Sequence, residues 1–246
     1  MEATKIAAVC VTYNRPKLLG RMIRCFERQD YPHRELVILD DAGQYHRAQG
    51  DRWTLVTTDK RFSTLGEKRN AAARLVSPDA RLLAVWDDDD LYLPWALTAS
   101  VAALQEAALS RPSLVLHPDL EGRLHQHETG GLFHSGWAYH RQWFWRVRGY
   151  PEYMSNGEDQ QLFRRFERVK TSMADPIADC AYQPFLVYPW ETSAKPHLSG
   201  AGPRGYENWG MYEIERGLRI EDYIANPPLI DLANPKIMPG VNKRKF

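Results

Sequence analysis

Short apolar runs alternate with amphipathic stretches along the first half of the chain. The continuous apolar runs are typical of strands buried on both faces of a sheet. The stretches between them carry apolar residues three or four positions apart, which indicates helices with one buried face. Strands are predicted at residues 5–12, 35–39, 53–57, 81–86 and 113–117, and helices from Pro16, at 65–76 and at 94–109. This alternation predicts an α/β fold with a mostly parallel sheet and helices on both faces.

The pattern changes after His117. Residues 125–140 are rich in histidine, glycine and aromatic residues, and a hairpin is predicted around Gly130-Gly131. Beyond it, the pattern predicts a helix at 159–169, a strand at 177–188, and from Glu191 a long arm or lid with one short helix near 209–218. We therefore predict a single domain over residues 1–246, with parts at 1–117, 118–190 and 191–246.

Composition narrows the classes of function only a little. The net charge is +1, so no global positive charge favours nucleic acid as a partner. No apolar run approaches the roughly 18 residues needed to span a bilayer, and the start of the chain leads straight into a strand, so we expect no signal peptide. Cys10, Cys25 and Cys180 are odd in number and widely spaced, which favours free thiols in a reducing cytoplasm. An oligomer is compatible with all of this.

Four aspartates in a row, Asp87 to Asp90, follow directly on the apolar run 82–86. The carboxyl end of a strand is where open α/β sheets bind ligands, and adjacent carboxylates favour a compensating cation. Carboxylate oxygens suit Mg²⁺ or Mn²⁺, which usually also hold substrate phosphates. The tetrad therefore predicts a metal–phosphate site. The alternative is a solvated acidic turn in which Asp90 caps the helix that begins near Pro94.

Several segments, taken in order, resemble the family 2 glycosyltransferases, which have the GT-A fold. They cover roughly residues 5–166, and no single one would be specific. The segments are 11–16 (VTYNRP), 37–41 (VILDD), 66–71 (GEKRNA), 86–90 (WDDDD), 149–151 (GYP) and 156–159 (NGED). The resemblance implies that 1–117 is a nucleotide-sugar-binding half, that 118–190 is an acceptor-side half with a hairpin and helix, and that 191–246 is a C-terminal arm or lid.

The resemblance also implies a nucleotide-sugar donor, with UDP-sugars favoured, and Mn²⁺ or Mg²⁺ as cofactor. It places Asp87 and Asp89 on the metal, and in many relatives a histidine in the region of His197 completes the metal shell. The resemblance implies further contacts with the donor. Asp40 would accept a hydrogen bond from the edge of the nucleotide base, and Arg69 would face the diphosphate. The other implied donor contacts are Thr12, Asn14 and Arg15 in the first βα turn, and Asp87 and Asp88.

Ordinary structural roles remain open for several of these residues. Asn14 would suit any turn, Asp40 could cap a loop, and Arg69 could lie on a solvated helix face. His197, in a Pro/Gly-rich stretch, could be a surface residue. Relatives often have Ser or Ala at the position of Asp88, so the division of metal and ribose contacts among the acids stays open.

Asp159 is the candidate general base. By resemblance it belongs to the motif that faces the acceptor, and the start of a helix favours its ionised form. The residues alone also fit an ordinary helix N-terminus built from Asn156, Glu158 and Asp159. Many relatives carry a further acid where this chain has Gln161. One base with no second nucleophile suggests a single displacement with inversion at the anomeric carbon.

The acceptor is expected to be a glycan or another hydroxyl compound, and the sequence identifies neither it nor the sugar. His125 and His127, or one of Trp137, Trp143 and Trp145, could line an acceptor pocket, although surface and core roles are the alternatives. Two other functions compete: a non-catalytic member of the fold that binds a nucleotide-sugar or glycan, and a metal-dependent phosphatase or nucleotidyltransferase. A phosphatase would need an acidic pair after the first strand, and a sugar nucleotidyltransferase would need a glycine-rich loop there. This chain has Thr12-Tyr13-Asn14 at that position and therefore lacks both.

Overall fold

The computed structural model describes residues 3–118, 124–188 and 211–213. Its strands are β1 (Ile6–Thr12), β2 (Arg34–Asp40), β3 (Ala48–Gly50), β4 (Trp53–Thr57), β5 (Leu82–Val85), β6 (Leu91–Tyr92), β7 (Leu109–Ser110), β8 (Leu114–Pro118), β9 (Leu124–Glu128), β10 (Ala138–His140), β11 (Met173–Ala174), β12 (Leu186–Val187) and β13 (Met211–Glu213). Its helices are α1 (Pro16–Glu27), α2 (Leu65–Arg74), α3 (Ala96–Ala103), α4 (Arg141–Arg146) and α5 (Glu158–Arg168). None of these helices is long and apolar enough to cross a membrane.

An eight-stranded sheet forms the centre of the fold, in the order β11-β7-β10-β5-β1-β2-β4-β3. Its middle strands β5, β1, β2 and β4 are parallel, as predicted. Strands β10 and β3 add antiparallel pairs on either side of them. In β1, Ile6 pairs with Arg34 and Thr12 pairs with Asp40, so the carboxyl ends of β1 and β2 lie level at one edge.

Alternate residues of β1 enter two different cores, because successive side chains of a strand point to opposite faces. Ile6, Ala8 and Cys10 pack with residues of α1 and α3 on one face. Ala7 packs with residues of α2, α4 and α5 on the other. Both faces of the sheet are therefore covered by helices, which explains why the strands read as continuous apolar runs.

A second sheet has five strands, in the order β13-β9-β8-β12-β6. Two predicted helices differ from the structure. The helix predicted at 94–109 is only α3, and Leu109–Ser110 is instead a strand of the central sheet that pairs with β10 and β11. Residues 211–213 were predicted within a helix but form β13 against β9. Strand pairing outweighs helix propensity in both places.

The strand predicted at 177–188 is also wrong over most of its length. Only Leu186–Val187 forms a strand, pairing with β6 and β8. Asp175 turns the chain here by accepting hydrogen bonds from the Ile177 and Ser113 amides, at 2.9 and 3.2 Å. Pro184 has no N–H to contribute to a ladder, so pairing begins only after it. The predicted arm at 191–246 lies outside the described residues, apart from β13.

A buried ion pair attaches α2 to the edge of the central sheet. Lys68 is only 6% exposed, and its ammonium contacts the carboxylate of Asp41 and donates to the Thr12 carbonyl at 2.6 Å. Burial lowers the pKa of Lys68, and the nearby Asp41 carboxylate opposes that shift. Arg61, whose side chain is 57% exposed, contacts the same carboxylate at 3.4 Å.

The N-terminus of α2 also holds the loop of residues 151–157 at close range. Thr64 Oγ1 donates to the Glu152 carbonyl at 2.6 Å, and the Gly66 amide donates to the Met154 carbonyl at 3.0 Å. A side chain on Gly66 would overlap the Pro151 carbonyl oxygen. Glycine is therefore required by this contact rather than by the helix, where it is normally unfavourable.

We expect Lys68→Met to lower the free energy of unfolding by about 3–5 kcal/mol, because it leaves the buried Asp41 carboxylate without its main partner. The matched change Arg61→Met removes an exposed partner of the same carboxylate and should cost no more than about 1 kcal/mol. Urea unfolding of both variants measures the difference. Equal losses would mean that Lys68 and Asp41 do not form a buried pair.

We expect Gly66→Ala to destabilise the protein by about 1–3 kcal/mol, because the new methyl group pushes α2 away from Pro151. In Gly20→Ala, by contrast, the nearest atom to the new methyl is Arg24 Nη1 at 3.8 Å. That variant should gain about 0.5–1 kcal/mol from helix propensity. Thermal and urea unfolding compare the two, and a stabilised Gly66→Ala would contradict the close contact between α2 and the loop.

Candidate active site

The predicted site residues of the first half gather at one edge of the central sheet. Thr12 and Asp40 end the parallel strands β1 and β2, and the tetrad Asp87–Asp90 follows β5 after Trp86. Arg15 directly precedes α1, and Arg69 lies in the first turns of α2. Because neighbouring parallel strands end at the same edge, residues far apart in sequence are brought into contact there.

The tetrad alternates between partly exposed and buried side chains. Asp87 and Asp89 have side chains 20% and 19% exposed, whereas Asp88 and Asp90 are buried. The partly exposed carboxylates of Asp87 and Asp89 can therefore bind a ligand that enters from solvent. The buried carboxylates of Asp88 and Asp90 contact the protein interior. These exposed acids are the two that the sequence analysis assigned to the metal.

Asp88 is enclosed by residues of the first βα turn. Thr12 Oγ1 donates to Asp88 Oδ2 at 2.6 Å, and Arg15 Nη1 donates to Asp88 Oδ1 at 3.0 Å. The same Arg15 nitrogen lies 2.7 Å from Asp89 Oδ2 and so bridges two acids. Burial and the neighbouring Asp89 carboxylate raise the pKa of Asp88 to about 6, although Thr12 and Arg15 oppose the rise.

Asp87 is paired with Arg69. The guanidinium Nη1 donates to Asp87 Oδ1 at 3.0 Å, and Ser135 Oγ lies 2.8 Å from the other carboxylate oxygen. Burial by itself would raise the pKa of Asp87, but the charge of Arg69, with smaller contributions from His134 and Ser135, lowers it to about 2. Asp87 is therefore a carboxylate at neutral pH.

Asp90 differs from the other three acids. It is buried, its carboxyl contacts Ser135 Oγ, and burial together with the charges of Asp89 and Asp87 raises its pKa well above the usual range. A hydroxyl has one proton, so a neutral Asp90 can donate to Ser135 Oγ while Ser135 donates to Asp87. The alternative role of Asp90 as a helix cap is wrong, because α3 begins at Ala96 with no side-chain cap.

Arg69 connects the tetrad with the start of α5. Its Nε lies 3.4 Å from Glu158 Oε1, so one buried guanidinium faces Asp87 on one side and Glu158 on the other. Glu158 is the first residue of α5, and Asp159 is the second. This arrangement excludes a solvated helix face for Arg69 and brings the predicted base to the same end of the sheet as the acids.

Asp159 is partly exposed in the first turn of α5. Its Oδ1 accepts from the Gln160 amide at 2.7 Å, and the Gln160 side chain donates to the Leu132 carbonyl at 3.2 Å. The cap position is Gly157, at φ +74°, which offers no side-chain oxygen. Asp159 therefore satisfies one amide of the helix start and keeps a partly exposed carboxylate.

Asn14 and Asp40 both fit the structural roles considered from the sequence, which are a turn residue for Asn14 and a loop cap for Asp40. Asn14 is exposed and has φ +55°, a left-handed turn conformation that asparagine tolerates. Asp40 is fully buried, and its carboxylate accepts from the Ala42 amide at 3.1 Å and from Thr57 Oγ1 at 2.9 Å. Base recognition by Asp40 stays a prediction.

Four residues of this region were not identified as functional from the sequence. Lys68 was inside a quoted motif, but charged helix residues usually face solvent. Tyr150 was likewise inside the quoted segment 149–151, but no role was given to it. Ser135 and His134 belong to no quoted motif, since they act through contacts between distant segments. His134 Nε2 lies 2.8 Å from the Tyr150 hydroxyl, and burial followed by the charge of Arg69 lowers the pKa of His134 to about 4.

Three of the candidate ligands or acceptor residues are not brought to the site. Trp137 is fully buried in the core, and Trp143 and Trp145 pack against the same core. His197 lies outside the described residues. Among the described residues, no three His, Cys, Asp or Glu side chains are arranged to hold a metal ion by themselves.

Several solved glycosyltransferase structures share this architecture. The Staphylococcus aureus TarS 1-349 fragment in complex with UDP-GlcNAc superposes with a TM-score of 0.56 at 15% identity, over 78% of this chain and 62% of TarS 1-349. The mannosyltransferase PcManGT from Pyrobaculum calidifontis, with GDP-Man and Mn²⁺, gives 0.55 at 17% identity, over 78% and 59%. GalNAc-T7 with UDP, GalNAc and Mn²⁺ gives 0.57 at 12% identity, over 77% and 44%.

These likenesses establish the fold, and the chain spans about six tenths of the TarS fragment. No curated protein sequence matched the chain. A family profile described as Glycosyl transferase family 2 matches residues 8–154, which is more than half of the chain and includes most of β1, the tetrad and the first part of the loop held by α2. The resemblance noted from the motifs is thereby confirmed, and the chain belongs to glycosyl transferase family 2.

Proposed function

We propose that this protein transfers a sugar from a nucleotide-diphosphate sugar, in the first instance a UDP-sugar, to an acceptor hydroxyl with inversion, using Mn²⁺ or Mg²⁺. The observation that carries the proposal is the tetrad, whose two exposed carboxylates stand beside two arginines and are linked through Arg69 to the start of α5. Neighbouring structures with UDP, UDP-GlcNAc or GDP-Man support this class of donor.

The residues at the tetrad fit a divalent cation held jointly with a diphosphate. Asp87 and Asp89 offer hard carboxylate oxygens, and Asp87 is ionised at neutral pH. Mg²⁺-type ions commonly use one or two carboxylates and complete their shell with substrate phosphates and water. Two exposed acids are therefore enough, which agrees with the absence of a three-ligand cluster among the described residues. When bound, the ion would neutralise charge on the departing nucleotide.

Arg15 and Arg69 supply positive charge where a diphosphate would develop negative charge. Arg15 is partly exposed, with 42% of its side chain accessible, and it bridges Asp88 and Asp89. Arg69 is more buried and fixed between Asp87 and Glu158. We therefore assign Arg15 to direct contact with the donor. Arg69 keeps its predicted position at the diphosphate, and its ion pairs also hold Asp87 ionised and α5 in place.

Asp159 is the proposed general base toward the acceptor. The Gln160 amide donates to its Oδ1 at 2.7 Å and the Gln160 side chain donates more weakly to its Oδ2 at 3.4 Å. The carboxylate is partly exposed and remains able to take a proton from an acceptor hydroxyl. A positioned base of this kind typically contributes about 10²–10⁴ in rate. The remaining donor contacts proposed from the family motif are Thr12, Asn14, Asp40 and Asp88.

For the donor site, we expect Asp89→Asn to weaken UDP binding in the presence of Mn²⁺ by at least about tenfold, because one charged ligand of the ion is lost. The matched variant Asp51→Asn, in the exposed turn between β3 and β4, should bind like the unchanged protein. Isothermal titration with UDP, with and without Mn²⁺, measures both. Equal UDP affinity with and without Mn²⁺ in the unchanged protein would refute metal-assisted donor binding.

For the base, we expect Asp159→Asn to keep the UDP–Mn²⁺ affinity but to reduce transfer by about 10²–10⁴, because only the acceptor proton is affected. Glu167→Gln, on the exposed C-terminal half of α5, is the control and should transfer normally. Single-turnover assays with a transferable nucleotide-sugar give the rates. Near-normal transfer by Asp159→Asn would leave that residue with its helix-start role alone.

A further inference from the structure

Asp87 is held at both of its carboxylate oxygens. Arg69 Nη1 donates to Oδ1 at 3.0 Å, and Ser135 Oγ donates to Oδ2 at 2.8 Å. The two donors come from different parts of the chain, since Arg69 lies in α2 and Ser135 lies in the segment before β10. The backbone of Asp87 is fixed as well, because its amide donates to the Tyr92 hydroxyl at 2.7 Å. Asp87 is therefore the acid of the tetrad whose orientation the protein determines at three atoms.

Hydrogen bonds on opposite oxygens fix the plane of a carboxylate. The last side-chain torsion of aspartate has no sharply preferred angle, so a carboxylate that is bonded at one oxygen turns easily. A carboxylate has about four lone-pair sites. Arg69 and Ser135 each use one of those of Asp87, and the remaining ones then point in set directions. Hydrogen bonds of this kind to a metal-binding carboxylate favour the ion, because the ligand is already oriented before the ion binds.

A tight turn presents the Ser135 hydroxyl. The Trp137 amide donates to the His134 carbonyl at 3.0 Å, which closes the turn around Ser135 and Gly136. Gly136 has φ +83°, the positive value that a type II turn requires at its third residue. A β-carbon at Gly136 would lie 3.3 Å from the Phe185 ring, so the turn is also closely packed. The backbone of Ser135 is therefore held in one conformation.

The turn is anchored to the strand that leads into the acids. Trp137 is fully buried, and its carbonyl accepts from the Val85 amide at 2.8 Å. Val85 ends β5, and Asp87 follows it after one intervening residue. Strand β10, which begins at Ala138, pairs with the same strand. Strand pairing therefore sets the distance between the Ser135 hydroxyl and the Asp87 carboxylate.

Ser135 contacts a second acid of the tetrad. Its Oγ also contacts the Asp90 carboxyl, so one hydroxyl stands between Asp87 and Asp90. An ordinary structural role is the alternative, because buried hydroxyl groups are normally hydrogen-bonded, and Ser135 is only 5% exposed. That role needs one acceptor of any kind. Here the hydroxyl joins a buried acid to an acid that is open to solvent, which favours a role in the site.

We propose that Ser135 is a positioning residue of the metal site, whose hydroxyl holds the Asp87 carboxylate in the orientation that binds the divalent cation. The inference rests on the proposed function, because it takes Asp87 as a ligand of the ion. Ser135 does not contact the donor in this role and acts through Asp87. Its removal leaves the charge of the carboxylate in place and changes only how that carboxylate is oriented.

The test titrates UDP by calorimetry at a series of Mn²⁺ concentrations. The Mn²⁺ concentration that gives half of the full gain in UDP affinity, the Mn²⁺ midpoint, measures how tightly the ion is held. We expect Ser135→Ala to raise the Mn²⁺ midpoint by about 10–100-fold, which is typical when a hydrogen bond to a metal ligand is removed. The UDP affinity without Mn²⁺ should not change, because the orientation of Asp87 matters only when the ion is bound.

Ser100→Ala is the matched control. Ser100 is also buried, and its Oγ donates to the Ala96 carbonyl at 2.8 Å within α3. This control removes a buried serine hydroxyl that bonds to backbone instead of to an acid, so the Mn²⁺ midpoint should stay as in the unchanged protein. Ser135→Cys keeps most of the side-chain volume but has only a weak S–H donor, and it should also raise the Mn²⁺ midpoint. It decides the question if thermal unfolding shows that Ser135→Ala is not folded.

A double-mutant cycle tests whether Ser135 acts through Asp87. In a protein that already carries Asp87→Ala, the further change Ser135→Ala should leave the Mn²⁺ midpoint where it is, because the carboxylate that Ser135 orients is gone. A further rise as large as the rise in the unchanged protein would mean that Ser135 acts on another group, and would overturn the inference.

Two other results overturn the inference and leave the proposed function standing. One is an unchanged Mn²⁺ midpoint in both Ser135→Ala and Ser135→Cys. The other is an equal loss of UDP affinity with and without Mn²⁺, which would indicate a general change in the structure. If the UDP affinity of the unchanged protein does not depend on Mn²⁺, the metal-assisted donor binding of the proposed function and this inference are refuted together.

Discussion

Two carboxylates about 4 Å apart near a protein surface repel each other by about 4 kcal/mol, and this fold places four of them in a row at the end of β5. The structure reduces the repulsion in three ways. Arg15 bridges Asp88 and Asp89, and Arg69 pairs with Asp87. Burial and the neighbouring acids raise the pKa of Asp90, which favours its neutral form. Arg15 directly precedes α1 and Arg69 lies in α2. Their ion pairs with the acids therefore attach both helices to the end of β5.

Helix α2 connects the acids after β5 with the start of α5. Three consecutive residues of α2 have different partners: Lys68 pairs with Asp41, Arg69 with Asp87 and Glu158, and Asn70 with the backbone at Tyr150. The first turn of the same helix holds the 151–157 loop. A single rigid element thus sets the distance between the acids that would hold a donor and the carboxylate that would receive an acceptor proton.

Much of the fold was predictable, because long elements have a clear hydrophobic period. Strand β1, helix α2 and helix α5 lie within two residues of their predicted bounds. The four consecutive aspartates were enough to predict which end of the sheet carries the candidate site. The two-residue strands β6, β7 and β11 were not predictable, since pairing with distant strands creates them. Ser135, His134 and Lys68 were missed for the same reason: their roles depend on partners more than 10 positions away, which periodicity cannot reveal.

The central claim is that a divalent cation and a diphosphate meet at the exposed acids of the tetrad. Anomalous diffraction from Mn²⁺ in crystals grown with UDP tests this claim most directly, because the peak gives the position of the ion without assumptions about activity. The account predicts one strong peak within coordination distance of the Asp87 or Asp89 carboxylate and of the UDP phosphates, at roughly 2.0–2.2 Å. A nucleotide bound at this edge with no peak beside either acid, or with its metal held elsewhere, would contradict it.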